Sequence, residues 1–291
     1  MLTQYLIRLR SKHHPFHALK KSRLFSRFVL PVLDIALDMR LRDMDWPVRV
    51  RLMRHLSYVA DSRIVESGVS SLFLALLRCC GPRVFWDVGV NFGYYSWLFL
   101  SADERKSALL YEPDSANLRL IDATIRRNRL DRARAAAAAV SDTEGETAFV
   151  LDEVSGATGA LAGDEPTFVD RHYGRAQRTV TVRAVTLDGE AADRTARHLI
   201  KIDVEGAEEA VLRGGAELVG TRQPIILFES FGGANAGAGA ALADWGYRVV
   251  GSERPEAAKG SNFLALPPRF EPQWGDILAR WTSMYASWTE R

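Results

Sequence analysis

Acids recur at the ends of short apolar runs in this chain. Val84-Phe-Trp-Asp-Val88 carries Asp87 just ahead of Gly89, Asn91 and Gly93. Ala108-Leu-Leu-Tyr-Glu-Pro113 delivers Glu112, and the run Ala135 to Val140 is followed by Ser141 and Asp142. His198-Leu-Ile-Lys-Ile-Asp203 leads into Val204-Glu-Gly-Ala-Glu208, and Pro224-Ile-Ile-Leu-Phe-Glu-Ser230 carries Glu229. Glycines let a backbone approach a ligand closely, and a helix start offers unpaired N–H groups. An acid beside such a loop suits a ligand bearing positive charge. An acid at the tip of the second strand can grip ribose hydroxyls. Asp142, after the third, can accept from an adenine amino group. Asp203 and Glu205 can take a proton from a hydroxyl or orient it. Each acid also has a plainer reading. Glu112, Glu205 and Glu208 suit helix N-termini, Ser141-Asp142 suits a turn before Gly145, and Asp203 can hold an amino group of the ligand.

These acids need strands to carry them. Each run is short, apolar and followed by a loop or helix signal, so the chain from about 61 to 268 alternates strands and helices. That pattern predicts an α/β fold with a mostly parallel central sheet, helices on both faces and ligands at the strand C-termini. Tyr247–Gly251 and Asn262–Leu266 read as the last strands, antiparallel to the rest. Residues 1–60 read as a basic helical extension, with Phe28, Val32, Ile35 and Met39 near helical spacing. Residues 269–291 read as an amphipathic helix, since Trp274, Ile277, Leu278, Trp281, Tyr285 and Trp288 recur at steps of three or four.

Asp-Val-Gly-Val-Asn-Phe-Gly-Tyr-Tyr-Ser, Tyr-Glu-Pro-Asp, Val-Ser-Asp, Thr186-Leu-Asp188 and Lys201-Ile-Asp-Val-Glu-Gly-Ala-Glu208 follow one another in one order. In that order they resemble the FkbM-type S-adenosylmethionine-dependent methyltransferases, over roughly residues 65 to 267. The block from Lys201 to Glu208 is the most specific part. The resemblance implies a Rossmann-like class I methyltransferase fold and S-adenosyl-L-methionine as cofactor. It places Asp87, Gly89 and Gly93 at the cofactor's amino-acid end, with Asn91 in the same loop. It places Glu112 at the ribose, and Asp142, beside Ser141, at the adenine. Val90 stands where the family commonly has Ala, a change that a backbone contact survives. Such enzymes generally act on oxygen, often a hydroxyl of a sugar, glycan or natural product.

Other functions fit less well. The spacing Gly89-x-Asn91-x-Gly93 is not the G-x-G-x-x-G expected of a nicotinamide oxidoreductase, and no P-loop Lys-Ser/Thr follows. A non-catalytic binding module on the same fold is the remaining alternative. The net charge of +2 on 291 residues gives no reason to expect nucleic acid. Cys79 and Cys80 are adjacent, which suits a reducing, cytoplasmic setting. No run approaches the length of a membrane span. The region before Asp34 is basic and free of acids, from Arg8 to Arg27. It can lie peripherally on the inner face of a membrane; it can equally pack on the catalytic domain or form a homo-oligomer contact. Asp34, Asp38, Asp43 and Asp45 favour packing. The irregular stretch between Phe149 and Thr179 reads as a lid or a mobile surface loop, and its His172 is a second candidate base. Asp203, Glu205 and Glu229 could share a divalent cation, yet nothing in the sequence demands one, so no metal is expected.

Overall fold

A computed structural model describes residues 30–63, 65–152, 158–162, 178–190, 198–230, 237–255 and 260–289. His172 lies outside the described residues, as do residues 1–29. At the centre is a seven-stranded sheet. Its strands are β3 (Val84–Val88), β4 (Ser107–Tyr111), β5 (Ala133–Ala136), β10 (His198–Ile202), β11 (Ile225–Glu229), β12 (Arg248–Gly251) and β13 (Asn262–Leu266), in the order β12-β13-β11-β10-β3-β4-β5. The remaining strands, introduced below, form a four-stranded and a two-stranded sheet. β3 and β10 are almost wholly buried, as strands covered on both faces must be, so they read as near-continuous apolar runs.

Side chains alternate across this sheet and feed two cores. Phe85, Leu199, Ile225 and Leu227 point to one face, against α2 (Ser67–Cys80), α3 (Tyr94–Ser101), α4 (Ser115–Asn128) and α8 (Trp274–Thr289). Trp86, Ile200, Ile202, Ile226 and Phe228 point to the other, against α5 (Glu208–Arg213), α6 (Ala216–Arg222) and α7 (Ala238–Asp244). Burying each such large apolar side chain contributes about 1.5–3 kcal/mol. The molecule is therefore a doubly wound, Rossmann-like α/β fold. After β3 the chain winds outward through β4 and β5, then returns to lay β10 on the other side of β3. The β3/β10 boundary is the reversal point where such sheets open a crevice at their strand C-termini.

Four expectations need correction. The N-terminal extension is not helical throughout: Leu30–Leu33 is a single helical turn, and β1 (Ala36–Met39) pairs with β2 (Val48–Arg51) as an antiparallel hairpin. Val48-Arg-Val-Arg alternates inward and outward, the period of a strand, and Val48 and Val50 join the core. Val32 and Ile35, counted as a helical stripe, are exposed. The run Ala135 to Val140 is not one strand. It breaks at Ala137 into β5 in the large sheet and β6 (Ala138–Val140), which pairs with β9 (Thr179–Val185) in the second sheet beside β7 (Gly145–Val150) and β8 (Ala160–Leu161). A row of alanines carries no pattern that would mark the break. β13 alone runs antiparallel to the large sheet; inserted between β11 and β12, it leaves β12 parallel to the rest. Finally, a 3₁₀ turn over Pro268–Gln273 precedes α8. Of its apolar stripe, Ile277 and Trp281 are buried, and Trp281 Nε1 donates to the Gly68 carbonyl on α2 at 3.0 Å.

Candidate active site

The carboxyl ends of β3, β4, β10 and β11 bring most of the expected acids to one edge. Hydrogen bonding continues past the strands and fixes their loops: Gly89 N donates to Tyr111 O at 3.1 Å, Asp203 N to Val88 O at 2.9 Å, and Glu112 N to Ala136 O at 3.1 Å. Gly89 has φ +83° and Gly93 φ +94°, and Asn91 between them takes the left-handed conformation at φ 58°. The loop thus turns sharply and starts α3 directly at Tyr94.

Glu112 is 5 % exposed. Its Oε2 accepts from Asn91 N at 2.7 Å and its Oε1 from Asp114 N at 2.8 Å. One carboxylate therefore ties the glycine loop to the start of α4. The helix-end reading of Glu112 is partly right, but the cap of α4 is Asp114, which accepts from Ala116 N at 2.7 Å. Burial lifts Glu112 to about 8, against the pull of those backbone donors.

A narrow cleft of about 50 Å³ lies against this loop. Gly89, Asn91, Glu112, Asn117, Asp203 and Asp152 supply polar groups, while Ala139, Val140, Phe149 and Leu161 form an apolar slot. The residues fit an adenosyl ligand. Asn91 Oδ1 is buried with no hydrogen-bond partner, and an apolar slot suits a planar base. Asp142 does not line this cleft. Its Oδ2 accepts from Arg213 Nε and Nη2 at 3.0 and 2.9 Å, which holds its pKa below the ordinary value. Ser141 is buried beside it, with its N bonded to Val185 O at 2.9 Å.

The second group of acids surrounds Lys201. This lysine sits inside β10 directly across from Asp87 in β3, on the face that also carries Phe85 and Leu199. Its Nζ lies 2.5 Å from Asp203 Oδ2. Burial would lower its pKa, but Asp203, Glu66 and Asp87 outweigh burial and raise it. Asp87 accepts from Ser96 Oγ at 2.7 Å; burial raises it to about 6, with Lys201 pulling the other way. Glu205 takes a left-handed backbone (φ 55°), and burial, then the charges of Asp203, Glu229 and Glu208, raise it to about 9. Glu229 is raised to about 8 by burial and Asp203. Glu208, by contrast, turns back on its own helix start and accepts from the N–H groups of Val204 and Gly206. Asp203, Glu205 and Glu229 each bring one oxygen within 4.8 Å of the others, a spacing that a hard cation accepts. The Lys201 ammonium already stands in the same group.

Sequence reasoning assigned no role to Lys201, Asp152, Asn117 or Glu66. Lys201 had a signal: a lysine in the middle of an apolar strand is buried only when paired. Asp152, 2 % exposed and accepting from Thr158 Oγ1 at 2.9 Å, follows β7 in a stretch that read only as loop.

Residues 87–250 match the Methyltransferase FkbM domain. No curated protein matches the chain. Among solved structures, the methyltransferase FkbM from Methylobacillus flagellatus KT is similar at 13% identity and a TM-score of 0.44, over 63% of this chain and 43% of that one. This chain thus spans less than half the length of that relative. The precorrin-6y C5,15-methyltransferase from Geobacter metallireducens GS-15 is similar at 13% identity and a TM-score of 0.38, over 68% and 85%. The O-methyltransferase from Bacillus cereus, solved in complex with SAH, gives 13% and 0.34, over 68% and 79%. These likenesses are too loose to carry a substrate or a mechanism. The domain match covers more than half of the chain, from the acid of β3 to the end strand β12, and on it this protein belongs to the FkbM methyltransferase family.

Proposed function

We propose that the protein is an S-adenosylmethionine-dependent O-methyltransferase acting on a hydroxyl of a sugar, glycan or natural product. One observation carries the reading. The glycine-loop cleft and the carboxylates Asp203 and Glu205 meet at the reversal point of the sheet, so a ligand in the cleft would end beside groups able to take a proton.

When bound, S-adenosyl-L-methionine supplies an electrophilic methyl group on a sulfonium. Gly89 and Gly93 supply the positive φ angles that turn the loop, so its backbone can face the amino-acid end. Asn91 Oδ1 offers that end an unused acceptor, and Asp87 supplies negative charge nearby. Glu112, held by two backbone donors, keeps lone pairs for ribose hydroxyls. Ser141 stands at the adenine side. Asp142 holds Arg213 through Oδ2, and the apolar slot supplies a further contact for the base. Lys201 fixes Asp203, which orients the acceptor hydroxyl. Glu205 takes its proton: a carboxylate raised toward the operating pH is a stronger base than an ordinary one. Holding both partners in line supplies much of the rate.

Transfer of a labelled methyl group to a panel of neutral sugars, lipid-linked glycans and hydroxylated metabolites tests the reading. Titration with S-adenosylmethionine and NAD accompanies it. Micromolar binding of the former, about −8 kcal/mol, is expected. Preference for NAD sinks the reading, and binding with no transfer to any member of the panel reduces the protein to a binding module. Among the described residues no helix is long and apolar enough to cross a membrane. For residues 1–60 we keep the packing role over a membrane contact.

A further inference from the structure

The cleft shares Gly89, Asn91 and Asp203 with a second, larger chamber of about 320 Å³. Its opposite wall comes from Arg54, His55, Tyr58 and Glu66. All four precede the region that matches the family domain. Their position is set locally. Asp34, almost fully buried, accepts from the N–H groups of Met53 and Arg54 at 2.9 and 3.0 Å and pins the end of the β-hairpin to α1 (Leu56–Asp61). Glu66 takes the left-handed conformation (φ 49°) at the start of α2 and accepts from Tyr95 Oη at 2.7 Å.

We propose that this chamber is the acceptor site, that Arg54, His55, Tyr58 and Glu66 set its specificity, and that it takes a neutral, hydroxyl-rich ring while rejecting rings that carry a carboxylate or phosphate. The proposal rests on the methyltransferase reading above. Its first support is position: the chamber opens onto Asp203 and Glu205 and touches the cleft along the glycine loop. A molecule there meets the end of the cleft ligand rather than its adenine side.

The second support is charge. Glu66, Asp87, Asp203, Glu205 and Glu229 line the chamber against two cations, Arg54 and Lys201. Both cations are engaged: Arg54 Nε lies 3.1 Å from Asp34 Oδ2, and Lys201 holds Asp203. An entering anion meets carboxyl groups, and both cations are already balanced by an acid partner. Burial and mutual repulsion already raise Glu205 and Glu229, so further negative charge is resisted. A neutral polyol does the reverse. Its hydroxyls can donate to the ionised acids and accept from the protonated ones, and the charge-assisted bonds are stronger than neutral ones.

The third support is the aromatic wall. Tyr58, half-buried on α1, stands edge-on to Phe92 at 4.9 Å and 4.8 Å from Tyr94. A ring with one C–H face can rest against it while its hydroxyls turn to the acids. His55 is a donor here rather than a base: its Nδ1 accepts from Arg51 N at 2.9 Å, which puts the proton of the neutral imidazole on Nε2.

The test uses the full chain saturated with S-adenosylhomocysteine. Methyl glucoside, galactoside and mannoside are titrated against their uronate and 6-phosphate counterparts, with saturation-transfer NMR to detect weak binders. The neutral rings should bind, and the acids should bind at least about tenfold more weakly. Tyr58→Ala should weaken the neutral rings, and Glu66→Gln, which keeps an acceptor for Tyr95, should narrow the gap to the uronates. Acids that bind as well as their neutral partners overturn the proposal. So does an absence of binding by every neutral ring, or wild-type behaviour of both variants. If the protein fails to take up S-adenosylhomocysteine at all, the methyltransferase reading itself is what falls.

Discussion

A β-carbon placed on Gly89 would stand 1.8 Å from the carbonyl oxygen of Asp203. The two chain segments that follow β3 and β10 therefore touch backbone to backbone, and only glycine permits it. Gly89→Ala must push those strand ends apart as well as hold φ +83°. We expect a loss of about 3 kcal/mol in urea unfolding, together with loss of cofactor binding. Gly206 provides the control: it has φ +109° but nothing within 4 Å of where a β-carbon would stand, so Gly206→Ala should cost only about 1–2 kcal/mol. Equal costs at the two positions would show that the close approach is not needed.

Lys201→Met tests the buried charge balance. Removing the ammonium leaves Asp87 and Asp203 without their shared cation, and Asp87 should rise above its present value of about 6. Leaving such charges uncompensated costs about 3 kcal/mol. The loss should be large at pH 8 and smaller at pH 5, where Asp87 takes up a proton instead. Chemical denaturation at the two pH values reads it, and a pH-independent loss would assign Lys201 to packing alone.

The strand ends were readable because strands buried on both faces leave little freedom. An acid breaking such an apolar run at Asp87, or closing it at Glu112, Asp203 and Glu229, has to lie at a sheet edge. What depended on distant partners was not readable. The pairing of Asp142 with Arg213, far along the chain, is announced by nothing near either residue. The chamber wall at Tyr58 and Glu66 meets Glu229 only through tertiary packing. The hairpin was hidden by its brevity: four alternating residues at Val48–Arg51 compete poorly with a longer, accidental helical spacing. The alanines from Ala135 to Ala139 pack equally well in either sheet.

Glu112 should make the cofactor-free protein less stable as pH rises. Its folded pKa of about 8 lies above the ordinary carboxylate value of about 4.3. The folded state therefore holds this proton more tightly than the unfolded one. The contribution is complete below pH about 4 and is lost as pH climbs through about 8. Urea midpoints from pH 5 to 9 should fall, and Glu112→Gln, which cannot ionise, should flatten the fall. An unchanged slope in the variant would place the dependence elsewhere.

Cofactor binding should release protons. Glu205 and Glu229 are raised to about 9 and 8 in the empty cluster, so both are largely protonated at pH 7. A cationic ligand favours their ionised forms. Calorimetry of S-adenosylmethionine binding at pH 7.5 should give an apparent enthalpy that changes with the buffer's ionisation enthalpy, and affinity should increase toward pH 9. S-adenosylhomocysteine, which lacks the sulfonium charge, should release fewer protons. Equal release by the two ligands would mean that the cluster does not sense the sulfonium.

The pH dependence of turnover separates Glu205 from Asp203. A base raised to about 9 in the free enzyme must lose its proton to act, so kcat/KM should rise about tenfold per pH unit below that value and level off above it. With the cationic cofactor bound, the corresponding limb of kcat should sit at lower pH. Glu205→Gln should remove the rise and lower kcat by about 100-fold or more, and cofactor affinity should lose part of its increase with pH. Asp203→Asn should also lower kcat, since Asp203 orients the acceptor, but the rise with pH should survive because Glu205 remains. If Glu205→Gln keeps both turnover and the pH limb, the proton goes to another group, and His172 is the next residue to replace.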